Sequence, residues 1–248
     1  MASKGSPREK PQQIADELRR LIVSGELTDG DLLGRESDLV ARFGVSRPSL
    51  REALRILEAQ GLISVQRGVL GGIFVRHPDE QATARTAALM LLARNVSLAD
   101  VFVARSHLEP LAARRVADLD TRLAAVAELE ALIAEQEAVM GDAGAFARVN
   151  AEFHQRLLAL AGNQTLAIVA EMLTDIVARS VAAAQDRGVA GSLANRRRSV
   201  RSQRRLVELI VACDGPGAQE HWRSHMVALG KLAPSARAEA VVDLIDDY

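Results

Sequence analysis

The stretch Phe43-Gly44-Val45-Ser46-Arg47-Pro48-Ser49-Leu50-Arg51-Glu52-Ala53-Leu54, continued by Leu57-Glu58-Ala59-Gln60-Gly61-Leu62-Ile63, decides the fold. Gly44 breaks one periodic segment. Ser46 then stands where an N-cap belongs, Pro48 falls in the first turn, and Leu50, Ala53, Leu54 and Leu57 recur at helical spacing as far as Gly61. The leading turn carries Arg47, Ser49 and Arg51 on the opposite side. A helix with one apolar face and arginines at its start suits the major groove, because a guanidinium bonds guanine O6 and N7 in a bidentate manner.

Toward the N-terminus, residues 36–43 show helical periodicity through Leu39, Val40 and Phe43. Residues 12–24 place Ile14, Leu18, Leu21 and Ile22 on one face, with Gly25 as the stop. Residues 26–34 read as a turn-rich connection and residues 1–10 as disordered. Toward the C-terminus, β-rich runs at 62–66 and 73–75 bracket Arg67-Gly68-Val69-Leu70-Gly71-Gly72, the pattern of a hairpin. Three helices and a hairpin over residues 11–77 make a winged helix-turn-helix.

His77-Pro78-Asp79 punctuates the chain, since the residue before proline is pushed out of helical geometry, and residues 78–84 read as a linker. Beyond it, periodic segments near 80–94, 98–118, 121–140, 144–161, 164–186, 195–213 and 216–231 predict a bundle of about six to seven helices over residues 85–233. A short helix is expected in the tail, residues 234–248. The fold class is mostly α, which suits a chain 48% hydrophobic, 25% charged and only 3% aromatic.

A net charge of -1 excludes a polybasic coat protein. Residues 1–78 nevertheless carry about 12 Lys and Arg against about 10 Asp and Glu, so the basic excess lies at the front. The lone Cys213 closes no intrachain disulfide and offers no thiolate cluster, as in a reducing compartment. There is no apolar leader and no membrane-length apolar run, so a cytoplasmic location without a membrane partner is expected. No G-x-S-x-G, H-E-x-x-H, P-loop or dinucleotide fingerprint is present, which argues against an enzyme and against an organic cofactor.

On the motif quoted above, residues 11–76 resemble the GntR family of bacterial regulators. The resemblance implies double-stranded operator DNA as partner and places the wing tip in the minor groove, assigning Arg67 and Gly68 to DNA, with glycine allowing close backbone approach. The DNA-contacting set is then Arg35, Arg47, Ser49, Arg51, Arg67 and Gly68. Two positions depart from the family: Gly34 and Ser37 stand where it usually has Pro and an Arg that touches DNA, and Arg35 is the nearest compensation.

In the second half, Val103-Ala104-Arg105-Ser106-His107-Leu108-Glu109-Pro110 and Asn150-Ala151-Glu152-Phe153-His154 are similar to the pocket helices of the FadR subgroup, with its FCD-type helical domain, over residues 85–230. That resemblance implies a homodimer and a small anionic effector, a carboxylate or an acyl-CoA or phosphorylated compound, paired with Arg105. Effector-site residues are Arg105, Glu109, Asn150, His154, Gln203 and His225. It also implies a divalent metal, zinc-like or nickel-like, on Asn150, His154 and His225, with Gln203 standing where an imidazole is usual and weakening the set. Asn150 and His154 share a helix face at i, i+4. His221 is either a replacement ligand on a rotated last helix or a surface histidine. Arg105 is expected as an unpaired buried guanidinium awaiting an anion. The run Arg196-Arg197-Arg198, Arg201, Arg204, Arg205 reads either as a solvated face or as an anion-binding rim. The implied function is a ligand-responsive regulator, a repressor more often than an activator, on a palindromic operator. A ligand-independent architectural DNA-binding protein is the alternative.

Overall fold

The computed structural model describes residues 9–66, 68, 71–77, 80–186 and 192–232. The chain divides into two compact units, the first ending at Ala82 and the second beginning at Thr83.

The first unit holds α1 (Glu9–Val23), β1 (Leu32–Gly34), α2 (Glu36–Phe43), α3 (Arg47–Ala59), β2 (Ile63–Gln66) and β3 (Gly72–Val75). One core joins Ile14, Ala15, Leu18 and Ile22 of α1 to Leu39 of α2 and to Leu50, Ala53, Leu54 and Leu57 of α3. Gly44 ends α2 in the left-handed region (φ 61°), a conformation that disfavours any residue with a Cβ. The Ser46 side chain then accepts the Ser49 N–H at 3.3 Å and starts α3.

Three boundaries differ from the sequence reading. Residues 9 and 10, expected to be disordered, open α1; Pro11 is tolerated there because first-turn N–H groups have no intrahelical acceptor. The connection at 26–34 contains β1, so the sheet has three strands in the order β1-β3-β2, both pairings antiparallel. Its three residues are too few to show an alternating pattern. At Gly72 of β3 a Cβ would come within 2.6 Å of Leu32 Cδ1, the tip of an exposed side chain on β1, so a larger residue there would make Leu32 shift. Residues 80–84, read both as part of the linker and as the start of the periodic segment at 80–94, are helical. Residues 1–8 and 234–248 lie outside the described residues.

The second unit contains α4 (Glu80–Ala93, which begins before the division), α5 (Leu98–Asp118), α6 (Arg122–Ala138), α7 (Ala143–Leu160), α8 (Gln164–Asp186), α9 (Leu193–Val211) and α10 (Gly215–Leu232). Its described residues form helices and short connections, with no strand among them. α5 is central, packing against α6, α7, α8, α9 and α10, so its inward side chains meet five other helices. The main core gathers Val116, Leu129, Phe153, Leu157, Leu206, Ile210, Trp222 and Met226. A second cluster joins Ala88 of α4 to Leu98, Val101 and Phe102 of α5 and Leu173, Ile176 and Val177 of α8. Among the described residues, no helix is long and apolar enough to cross a membrane.

Candidate functional site

In the first unit, α3 and the β2–β3 hairpin flank an open groove of about 790 Å³, lined by Arg35, Arg51, Arg55, Val65, Gln66 and Gly68 among others. Arg35 is exposed at the start of α2, where Asp38 Oδ2 accepts its backbone N–H at 3.1 Å. Arg47 is exposed on the first turn of α3. Arg51 is also exposed, but its Nε donates to both carboxylate oxygens of Glu36, at 3.0 and 3.1 Å. The Ser49 hydroxyl lies 2.9 Å from that of Ser46, within the cap. Gly68 is exposed with φ 114°, backbone that side-chain-bearing residues rarely adopt. Arg67 lies outside the described residues. The first unit thus presents Arg35, Arg47, Arg51 and Gly68 at its surface, with Glu36 as a partner that sequence reasoning missed.

The second unit has a buried polar cluster centred on Glu109, which is wholly inaccessible. Its carboxylate accepts from Arg105 Nε at 2.7 Å, His154 Nδ1 at 2.6 Å and Trp222 Nε1 at 3.0 Å. Burial alone would raise the Glu109 pKa. The Arg105 and His154 charges, with hydrogen bonds from His154 and Trp222, outweigh it and hold the carboxyl at about 2. The rings of His154 and His225 stack at 6.1 Å, and Trp222 lies 4.5 Å from His225. Burial first, and His154 second, push His225 down to about 3, so its imidazole is neutral.

The expectation of an unpaired Arg105 is therefore corrected: Glu109, one turn away, neutralises it at the cost of only the Nε–H. A cavity of about 70 Å³ opens beside the pair, lined by Arg105, Asn150, His154, Thr174 and Val177 among others. His154 Nε2 and Thr174 Oγ1 are buried without a hydrogen-bond partner. Next to them, Asn150 Oδ1 accepts from Gln203 Nε2 at 3.0 Å and Ser199 Oγ at 3.1 Å, and Gln203 Oε1 accepts from Gln136 Nε2 at 2.8 Å. All six expected effector-site residues belong to this cluster. His221 takes neither reading considered for it: it is half-buried, and its Nε2 bonds the Ser202 carbonyl at 2.8 Å.

Gln136, Thr174, Ser199 and Trp222 escaped the sequence reading. Gln136 had a signal, a polar residue continuing the stripe Val126, Leu129, Ile133 at helical spacing. Trp222 had one too, as the only tryptophan and three residues before His225. In the arginine run, Arg204 is held by Glu137 at 2.7 Å and Arg205 by Glu208 at 2.7 Å, while Arg196 Nε and Nη1 are buried without a partner.

Residues 10–75 match the family model described as bacterial regulatory proteins, gntR family, and residues 100–228 match the FCD domain. The chain belongs to the GntR family, with an FCD domain as its second half. Over 104 residues it is 36% identical to the HTH-type transcriptional regulator Mce2R of Mycobacterium tuberculosis, covering 41% of each chain. Over 174 residues it is 27% identical to the HTH-type transcriptional repressor NanR of Edwardsiella tarda, covering 66% of this chain and 63% of that one. The chain thus spans less than two thirds of the length of these relatives. The structure of Streptococcus agalactiae GntR covers 89% of this chain and 99% of its own at a TM-score of 0.66 and 22% identity, a likeness of fold.

Proposed function

We propose that the chain is a ligand-responsive transcription regulator, acting as a repressor, that binds a palindromic operator as a homodimer through α3 and the β2–β3 hairpin. The observation that carries this reading is the groove between those elements. Arginines stand along one wall, and a glycine with positive φ stands on the hairpin, so a duplex backbone has a place to lie while α3 enters the major groove. Arg47 and the Nη edge of Arg51 read bases, and Arg35 and Arg55 meet phosphates. Two such readers related by a two-fold axis require a two-fold operator.

The second unit takes the effector. Arg105 with Nε committed to Glu109 still offers its Nη groups, and the cavity adds His154 Nε2 and Thr174 Oγ1, a set suited to a carboxylate or another small oxyanion. At about 70 Å³ the cavity is well below the roughly 300 Å³ at which ligand sites begin, so an effector of more than a few atoms must spread the helices around it. The small cavity is also what favours the alternative, a ligand-independent DNA-binding protein. Selection of duplexes from a random library by the full chain, repeated with small carboxylates present, separates the readings. Recovery of inverted repeats whose binding responds to a carboxylate supports the proposal. Inverted repeats without any response leave the ligand-independent reading, and no sequence enrichment sinks both.

A further inference from the structure

Asn150, His154, Gln203 and His225 converge, as a shared divalent ion would require, yet their donors do not fit one. Both oxygens are spent: Asn150 Oδ1 on Gln203 and Ser199, and Gln203 Oε1 on Gln136. What remains is His154 Nε2 and His225 Nε2, two buried imidazole nitrogens without a hydrogen-bond partner. The neighbouring carboxylate, Glu109, already accepts from three donors, and the Arg105 guanidinium beside it opposes a second cation. A buried divalent ion needs more ligands than two imidazoles, and anionic ones where the surroundings are dry. Among the described residues, no group of three or more His, Cys, Asp or Glu side chains is placed to hold a metal.

We propose that a relay of side-chain amides, Gln136 to Gln203 to Asn150, does in this chain what a shared ion would do, tying α6, α9 and α7 together so that the second unit folds and works without metal. Glutamine suits the middle position. Its amide donates and accepts at once, so Gln203 links two amides in series, with Ser199 adding a second donor to Asn150. Gln136 and Gln203 are wholly buried, so neither amide has water as a substitute partner. The relay runs beside the Glu109 cluster and joins side chains 67 and 53 positions apart in sequence. Gln203 is the position on which the choice between relay and ion turns. This inference rests on the geometry of the second unit and is independent of the DNA-binding reading.

The test uses the full chain, with native mass spectrometry for metal content and melting followed by Trp222 fluorescence in EDTA, zinc chloride or nickel chloride. The wild type is expected to carry no ion that depends on His154, and to melt within about 1 °C of the same temperature in all three solutions, whereas a site filled at 1,000 times its Kd shifts melting by many times that amount. Gln203→His, which restores an imidazole and breaks the relay, is expected to gain a saturable rise in melting temperature with zinc that disappears in Gln203→His/His154→Ala. One ion per wild-type chain, lost on His154→Ala, overturns the proposal, as does a wild-type melting temperature that falls in EDTA. If Gln203→His unfolds, the wild-type metal content and EDTA response decide alone.

Discussion

Replacing Glu109 by Gln keeps the shape of the side chain and removes one charge at the most enclosed position of the second unit. Glu109 and Arg105 have side-chain exposures of 1% and 5%, so the guanidinium left behind has no water with which to replace its partner. Breaking a buried ion pair by removing one partner costs about 3 to 5 kcal/mol. The amide also turns an NH2 toward one of the three N–H donors that now converge on the carboxylate, which places the loss at the upper end. Urea denaturation followed by Trp222 fluorescence measures it cleanly, because Trp222 is the only tryptophan, donates to Glu109 and reports the helical unit alone. For a unit of this size the loss corresponds to a fall in melting temperature of roughly 10 °C. Glu109→Gln/Arg105→Met removes the orphaned charge and should recover about 2 kcal/mol or more, the difference forming a coupling energy. A single variant within about 0.5 kcal/mol of wild type, with no coupling in the double variant, would show that the pair is not the buried ionic contact described above.

Arg47→Ala and Arg51→Ala should each cost about 1 to 3 kcal/mol of operator affinity at fixed salt without changing the melting of the second unit, and unchanged affinity in an anisotropy titration removes either residue from the reading surface. Glu36→Gln frees Arg51 and removes a negative charge facing DNA. Binding to random duplex should strengthen while the ratio of specific to random binding falls, and a ratio that holds shows that Glu36 does not position Arg51. Stability of the helical unit should fall with acid. His225, faced by His154, Glu109, His221 and Arg105, is held near 3 against 6.5 when unfolded, and Glu109 near 2 against 4.5. In both cases the unfolded chain binds protons first. The loss therefore starts as pH drops through 6.5, steepens toward about 1.4 kcal/mol per pH unit near pH 5, and gains the Glu109 contribution below 4.5; a flat profile from pH 7 to 5 in the same urea assay contradicts the burial of His225.

The first unit was legible because its signals are local. The N-cap at Ser46, the proline beside it, the breaks at Gly44 and Gly61 and the spacing of Leu50, Leu54 and Leu57 all lie within one short stretch, and each acts on its neighbours. β1 was not legible, since three residues held by pairing to β3, forty positions away, leave no pattern of their own. In the second unit the helices were legible from periodicity, but the partners inside the bundle were not. Trp222 reaches Glu109 across 113 positions and Gln136 reaches Gln203 across 67, and nothing in either neighbourhood names the other. The Arg105–Glu109 pair is the exception: its i, i+4 spacing on one helix was open to reading, and the expectation of an unpaired arginine neglected it.

Both units hold a key arginine by its Nε against a glutamate, and the difference in burial sets what each can do. Arg51 is 62% exposed and Glu36 34%, so their contact is worth no more than about 1 kcal/mol and is screened by salt. A guanine edge or a phosphate can therefore draw Arg51 away from Glu36 at little cost, or use its Nη edge with Glu36 still in place. At Arg105 the first route is closed, since displacing Glu109 would strand a carboxylate already bonded to His154 and Trp222. On the proposed reading, a ligand in the second unit would add to the existing pair through the Nη groups, His154 Nε2 and Thr174 Oγ1. Its negative charge then stands beside Glu109 as well as Arg105, so affinity depends on the hydrogen bonds it makes more than on net charge. An uncharged amide of the same shape should accordingly retain a larger share of a carboxylate's affinity here than it would at an arginine without a partner.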